Sequence, residues 1–295
     1  MRAFVLTLLC AWASTVFAAD GGHAGHGHGG STPGKQTSGA PAGWTSLPLL
    51  EASPGRDRSK AGFQLVNLVA EKVTVRAPGG RAPLPEGVRF KADRLEWEIP
   101  VQEGRFTLQS AGVGNYHWLQ AREETPERVK VASTAHYFSN PGPAPTAMLA
   151  RPKSELEIVP EPLPREHNQY RENQERAFLL RFRNEPLAGA TLRFASSAGS
   201  GASFTSDAAG RALVRFPADV KLAEGTGNHG RGASNRFVLA VEHQADDRHY
   251  LTAFNYRYDE DVYARRNLFW GGGFLALGGL LGLPLIVRRK ENRRA

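Results

Sequence analysis

The sequence predicts an all-β protein with two small β-sandwich domains and one C-terminal transmembrane helix. Short runs of alternating apolar and polar residues, rich in β-branched and aromatic side chains, recur between turns that contain Pro and Gly. One uncharged apolar stretch near the C-terminus is long enough to cross a bilayer. The first β-rich region contains no stretch with the apolar stripe of an amphipathic helix.

The N-terminal residues 1–18 are typical of a secretory signal peptide. Arg2 provides the positive start, residues 3–17 are mainly apolar, and the segment ends at Ala18 with small residues at the positions that a signal peptidase requires. Cys10, the only cysteine of the chain, lies inside this segment. We therefore expect a mature chain without cysteine, which excludes structural disulfides, thiolate metal sites and cysteine nucleophiles.

The second apolar segment is predicted to anchor the protein in a membrane. It starts at Asn267, ends at Val287 and carries no charged side chain over 21 residues. The tail, residues 288–295, contains five Lys and Arg residues, and the positive-inside rule places it in the cytoplasm. We expect a single-pass protein of the bacterial inner membrane with periplasmic N-terminal domains. Because much of the net charge of +8 lies in this tail, the composition does not predict a nucleic-acid partner.

Between these ends, composition divides the chain into an arm and two β-rich domains. Residues 19–43 contain no large apolar side chain, which predicts a flexible arm. We expect the first β domain at 44–138, a Pro-rich linker at 139–154, the second β domain at 155–258 and a short spacer at 259–266. The predicted strands are residues 72–76, 95–99, 105–109, 116–121 and 129–133 in the first domain, and 156–159, 177–182, 191–194, 212–216, 237–242 and 251–258 in the second.

Two turn segments in the second domain carry a family resemblance. Residues 185–191 (EPLAGAT) and 205–212 (TSDAAGRA) place Pro186, Gly189, Asp207 and Gly210 at turn positions. Together with residues 156–160 and the segment NRFVLAVEH, they resemble the Ig-like, transthyretin-like β-sandwich of carboxypeptidase regulatory-like domains. More narrowly, they resemble a periplasmic domain family of unknown function that is associated with bacterial nickel and cobalt uptake. The resemblance implies a role in metal uptake rather than catalysis.

The arm contains the first candidate metal site, formed by His23, His26 and His28. Neutral imidazole is a good ligand for nickel, cobalt, copper and zinc ions, and a Gly-rich backbone can fold around an ion. Members of the resembled family tend to carry one histidine near the mature N-terminus, whereas this arm holds a cluster. The alternative interpretation is a low-complexity linker whose histidines are incidental.

The second candidate metal site consists of His243 and His249 with Asp247. A five-residue hairpin loop between the two histidines would place them on the same face of the strands. The alternative is an ordinary solvated hairpin end. His117 and His136 lie in predicted strands, and we expect them to be packing or surface residues rather than ligands.

The sequence does not predict an enzyme. It contains no HExxH, GxSxG, SxxK or GxxxxGK[ST] motif, and no organic cofactor is expected. The predicted function is a membrane-anchored periplasmic accessory protein that binds or delivers a transition metal, with a metal transporter or another envelope protein as its partner. The alternative is a non-catalytic module for protein–protein interaction in the envelope, with incidental histidines.

Overall fold

Sixteen β-strands and one short helix form the regular structure of the described residues. The computed structural model describes residues 43–53, 59–78, 96–110, 116–138, 144–164, 169–221 and 233–261. All of them belong to one unit of the chain, Ala40–Ala295. Within these ranges, no helix is long and apolar enough to cross a membrane. The predicted signal peptide, membrane segment and tail, and all but the last residue of the predicted arm, lie outside the described residues.

The elements follow one another in two groups of strands separated by the helix. The first group is β1 (Leu49–Ala52), β2 (Lys60–Val66), β3 (Lys72–Arg76), β4 (Glu96–Pro100), β5 (Arg105–Gln109), β6 (Tyr116–Glu124) and β7 (Arg128–Tyr137), followed by α1 (Thr146–Ala150). The second group is β8 (Leu156–Glu161), β9 (Tyr170–Arg171), β10 (Glu175–Phe182), β11 (Glu185–Pro186), β12 (Thr191–Ser196), β13 (Gly201–Thr205), β14 (Arg211–Arg215), β15 (Ser234–Ala245) and β16 (Arg248–Asp259). Every predicted strand is present, and β1, β2, β9, β11 and β13 are additional.

The largest sheet, here called the central sheet, draws strands from both groups. Its nine strands run in the order β13-β12-β15-β16-β7-β6-β3-β4, and β9 also pairs with β16. Strand β16 runs parallel to β7, with Val131 opposite Thr252 and Ala132 opposite Ala253. The expected separation into domains 44–138 and 155–258 is therefore not observed, because the last strand of each predicted domain pairs with the other inside one sheet.

Two smaller sheets cover opposite faces of the central sheet. The first outer sheet has the order β1-β2-β5, and the second places β8 on one side of β10 and β11 with β14 on the other. Adjacent residues of β6 point to different layers, since Trp118 packs with core residues of the second outer sheet and Leu119 with those of the first. The described chain is thus a three-layer β-sandwich in which the central sheet is shared.

The central strands are buried on both faces. In β15 the five residues from Phe237 to Val241 are all buried, and so are the five residues from Tyr250 to Phe254 in β16. This explains why these strands contain nearly continuous apolar runs, which are usual for doubly covered strands. Full burial of one large apolar side chain contributes about 1.5–3 kcal/mol, so this layer supplies a large share of the folding free energy.

The segment predicted as a Pro-rich linker is partly built into the core. Helix α1 places Met148 and Leu149 in the core between the central and second outer sheets, with exposed fractions of 4% and 6%. Residues 144–154 therefore connect the two groups of strands as a packed element. Among the residues of the predicted linker, 139–143 lie outside the described ranges.

A buried group of charged residues holds this segment to the second outer sheet. The Glu157 carboxylate accepts a hydrogen bond from the Arg181 guanidinium and lies 3.3 Å from Lys153 Nζ. Lys153 Nζ also donates to the carbonyl oxygens of Leu149 at 3.0 Å and Arg151 at 2.9 Å. Burial lowers the pKa of Lys153 to about 8. Two cations share one carboxylate, and the carbonyls at the end of α1 offset the excess positive charge.

A side-chain amide of the central sheet completes the hydrogen bonding of the first outer sheet. Asn255 in β16 accepts from the backbone N–H of Leu50 at 3.0 Å and donates to the carbonyl of Leu50 at 2.9 Å. Leu50 is 1% exposed, so these backbone groups have little access to water. The Asn255 amide thus provides the hydrogen bonds that a neighbouring strand would supply to β1.

We predict that Asn255→Ala lowers the free energy of unfolding by about 2–4 kcal/mol, because it leaves a buried donor and a buried acceptor unsatisfied. Urea denaturation followed by far-UV circular dichroism measures the change. Gln64→Ala is the control, since the Gln64 amide donates at 3.2 Å to the half-buried Glu51 carboxylate and its loss leaves no buried backbone group unsatisfied. Equal losses in the two variants would contradict the role of Asn255.

The two turns that carry the family resemblance lie at strand ends, as predicted. Gly189 and Gly210 have φ values of +68° and +75°, which glycine adopts without the steric penalty of a side chain. Asp207 accepts hydrogen bonds from the backbone of Ala209 at 2.9 Å and Arg211 at 2.8 Å. A Cβ atom at Gly210 would lie 2.5 Å from the carbonyl oxygen of Leu180, whereas one at Gly189 would meet nothing within 4 Å.

These geometries predict unequal costs for the same substitution. Gly189→Ala should destabilise by about 1–2 kcal/mol through its left-handed backbone alone. Gly210→Ala should cost at least twice as much, because backbone atoms of β10 must also move. Thermal and urea unfolding of both variants measure the difference, and a smaller loss for Gly210→Ala would show that the turn relaxes around the new side chain.

Candidate functional site

The hairpin of β15 and β16 carries the second predicted metal site. Its turn contains only Asp246 and Asp247, which have φ values of 50° and 57°, and Ala245 pairs with Arg248. Positive φ at both central residues is the geometry of a tight two-residue hairpin turn. The expected five-residue loop is therefore wrong, and the strands continue to the tip of the hairpin.

The short turn places the two histidines on opposite faces. His243 pairs with Tyr250, whereas His249 pairs with Gln244. Since successive side chains of a strand point to opposite faces, residues 243 and 250 share one face and residues 244 and 249 share the other. The prediction that His243 and His249 face each other across the hairpin is wrong, because it depended on an odd number of loop residues.

The His243 face of the hairpin packs against the second outer sheet. The His243 ring lies 4.5 Å from the ring of Phe182, measured between centroids. The guanidinium of Arg183 lies 4.9 Å from the same Phe182 ring and forms an ion pair with Asp246. His243 is thus a packing partner for an aromatic residue, next to a cation that disfavours a bound metal ion.

The His249 face contains a carboxylate that the sequence analysis missed. His249 Nε2 lies 3.2 Å from Glu242 Oε2, and the guanidinium of Arg193 forms an ion pair with the same Glu242. Glu242 and Gln244 are two residues apart in β15, so their side chains lie on the same face, and Gln244 pairs with His249. A two-residue turn, had it been predicted, would therefore have placed Glu242 close to His249. The Glu242 carboxylate is thus paired with Arg193 and His249 rather than directed at Asp247.

The tip of the hairpin is also attached to the turn between β6 and β7. Arg248 Nη2 donates to Glu124 Oε1 at 2.6 Å and to the carbonyl of Thr125 at 2.8 Å. Arg122 Nε donates to the other oxygen of Glu124 at 2.8 Å. These two guanidinium groups lower the pKa of Glu124 to about 2. Glu124 therefore serves as a partner for two arginines.

The predicted set of His243, His249 and Asp247 does not converge on one point. Asp247 occupies the second position of the turn, and the histidines lie on different faces. Across the described ranges, no group of three or more His, Cys, Asp or Glu residues could hold a metal ion. The other candidate ligands, His23, His26 and His28, lie outside the described residues.

The remaining strand histidines occupy an aromatic cluster between the central and first outer sheets. His117 and His136 are opposite each other in β6 and β7. The Phe138 ring lies 5.1 Å from His117 and 4.5 Å from His136, and the Phe63 ring lies 5.6 Å from His136. Both residues lie in strands and contact aromatic rings, which is the packing role among the two roles, packing or surface, that the sequence predicted. Burial, with a smaller effect from Arg257, lowers the pKa of His136 to about 4.

Comparisons with known proteins add little beyond this geometry. No protein-family model matches the chain, and no curated protein matches its sequence. One solved structure to which it is similar is a two-domain fibronectin type-III segment from chicken tenascin. The identity is 13%, the match covers 72% of this chain and 98% of that chain, and the TM-score is 0.21. At that score the likeness carries no argument, so the sandwich assignment rests on the packing described above.

The low pKa of His136 predicts a pH dependence of folding. The unfolded residue takes up a proton near pH 6.5, whereas the folded residue does so only near pH 4. Stability should therefore fall as the pH decreases through this window, by about 2–3 kcal/mol at pH 4.5 relative to pH 7.5. His136→Phe should remove this part of the pH dependence, as measured by urea denaturation at each pH.

The exposed His249 provides the control for this experiment. His249→Gln should leave the decrease in stability between pH 7.5 and pH 4.5 almost unchanged, because its side chain is 38% exposed and lies outside the aromatic cluster that buries His136. If His136→Phe retained the same decrease, other groups would be responsible for it.

Proposed function

We propose that this protein is a membrane-anchored periplasmic accessory protein that binds a transition metal through its N-terminal arm and delivers it. The observation that carries the proposal is the placement of His23, His26 and His28 within six residues of a segment that contains no large apolar side chain. Such a segment would gain little free energy by packing on the three-layer β-sandwich, here called the body. Its imidazoles would therefore remain available to a nickel, cobalt, copper or zinc ion.

The geometry of the body supports this assignment by comparison. Within the described ranges, the histidines that the sequence offers as rival ligands occupy other roles. His243 packs on Phe182, His249 lies beside Glu242, and His136 is held neutral in an aromatic cluster. The arm therefore provides the densest group of histidines in the chain. The three-layer body would act as a rigid carrier for it.

The membrane anchor and the partner complete the proposal. The segment from Asn267 to Val287 would hold the protein in the bacterial inner membrane, with the β-sandwich in the periplasm and the basic tail in the cytoplasm. Tethering increases the local concentration of a captured ion near a metal transporter or another envelope protein without any catalytic step. The resemblance of residues 155–258 to a family associated with nickel and cobalt uptake supports the same role.

The proposal predicts metal binding with a strong pH dependence. Each imidazole must be deprotonated to bind, and its unperturbed pKa is about 6.5, so affinity for Ni(II), Cu(II) or Zn(II) should fall markedly from about pH 7.5 to 5.5. Changing His23, His26 and His28 together to Ala should abolish most of the binding. Isothermal titration calorimetry of the wild type and the triple variant, each as the full chain in detergent, measures both effects.

The double variant His243→Ala with His249→Ala is the matched control and should bind almost as tightly as the wild type. Equal affinity in the wild type and the arm variant would contradict the proposal and place the site in the body. Absence of binding in all of the proteins would also contradict it, and would favour a protein–protein interaction module with incidental histidines.

A further inference from the structure

The edge strand β13 differs from every other edge strand in the described part of the chain. Its sequence, GASFT, contains no charged residue and no proline. The other edge strands each carry at least one such residue: Glu51 in β1, Glu98 in β4, Arg105 in β5, Pro160 in β8, Arg171 in β9, Glu185 in β11 and Arg211 in β14. Charges and prolines at sheet edges prevent association with other strands. Strand β13 lacks this protection.

The hydrogen-bond pattern shows which backbone groups β13 presents outward. The N–H of Ser206 donates to Ala190 at 3.0 Å, and the N–H of Ser196 donates to Ser200 at 2.8 Å. In an antiparallel ladder the bonded pairs alternate, so Ala202 and Phe204 direct their backbone groups to β12. Gly201, Ser203 and Thr205 consequently direct their N–H and C=O groups to the opposite side. Among the described residues, no strand pairs with that side.

We propose that a second copy of this chain pairs with β13, strand to strand and antiparallel, about a two-fold axis at Ser203. In this register Ser203 of one copy lies opposite Ser203 of the other, and Gly201 lies opposite Thr205. Each of these pairs exchanges two hydrogen bonds through the outward backbone groups. The central sheets of the two copies become one continuous sheet across the dimer.

The side chains of β13 are self-complementary in this arrangement, which is why the occupant is a second copy. Ala202 lies opposite Phe204 of the second copy, so a small side chain leaves room for a large one on the same face. Phe204 is only half-buried in one copy, and pairing covers more of its ring. No like charges meet along the strand. A partner protein with a charged or bulky strand would fit less well.

The nearest charge on the neighbouring strand does not oppose this pairing. Arg193 of β12 lies opposite Ser203 and is therefore close to the two-fold axis. Its guanidinium forms an ion pair with Glu242 of β15 and is directed away from the edge. Because a five-residue edge buries less than a standard interface of about 1,600 Å², the dimer is weak and its population depends on concentration.

Sedimentation of the full chain in detergent micelles tests the proposal. The wild type should show a reversible monomer–dimer equilibrium. Ser203→Lys places two like charges opposite each other at the two-fold axis and should weaken dimerisation up to about fivefold. Thr107→Lys, the same kind of change at an exposed position of the edge strand β5, is the control and should leave the equilibrium unchanged.

A second substitution separates dimerisation from folding. Ser203→Pro removes an N–H that points outward and that the monomer does not use, so β12 and β13 should still pair while the dimer is lost. Circular dichroism and the melting temperature verify that each variant is folded. A wild type that stays monomeric up to about 100 μM would overturn the proposal, because weak specific interfaces are populated at such concentrations. A dimer that persists in both Ser203 variants would also overturn it.

Covalent trapping tests the register directly. In a variant with Cys10→Ser and Ser203→Cys, the paired residues should form a disulfide between copies, since Cα atoms of a bonded antiparallel pair lie about 5.5 Å apart and within disulfide range. The same background with Thr107→Cys should form no such disulfide above the level of random collision. Equal cross-linking at both positions, or cross-linking at Thr107→Cys alone, would contradict the proposed interface.

Discussion

The parallel pairing of β7 with β16 is the interaction on which the rest of the structure depends. These strands are separated by more than a hundred residues, yet they lie side by side from Arg128 to Thr134. Hydroxyl groups support the join, because Ser133 donates to the carbonyl of Ala253 at 3.0 Å and Thr134 to that of Asn255 at 2.7 Å. Without this ladder, the two groups of strands would form separate sheets and each would expose an apolar edge.

Several other features follow from this join. Because the central strands belong to one shared sheet, the outer sheets cover both of their faces. Neither face is exposed to water, so these strands can be apolar on both sides. Helix α1 lies between the two groups of strands, and the buried Lys153 that follows it contacts the Glu157 carboxylate, which is also paired with Arg181. A buried ion pair of this kind is costly unless every partner is satisfied. Here, carbonyl oxygens at the end of the helix accept further hydrogen bonds from both cations.

The same architecture determines what the body can contribute to function. The β15–β16 hairpin continues the long central strands, and two ion pairs hold its tip, one between Asp246 and Arg183 and the other between Arg248 and Glu124. In this architecture, His243 and His136 contact aromatic rings and His249 contacts a carboxylate. The proposed metal ligands lie in the arm and the proposed association surface is the uncharged edge at β13. The two proposals concern different parts of the chain and can fail separately.

The sequence alone determined the β class, most of the strands and the turns at Gly189 and Gly210, because alternation and positive-φ requirements are local properties. It did not reveal β13, since GASFT is short and contains only one large apolar side chain, so that its strand structure depends on the pairing with β12. It also could not decide that β7 pairs with β16, because the apolar runs of β15 and β16 indicate burial on both faces but do not identify the neighbouring strand. The tertiary structure decided this through packing on both sides of the central strands. The geometry of His243 and His249 was decided in the same way, since the length of the ladder sets the turn and a change of one residue in register reverses the face of a side chain.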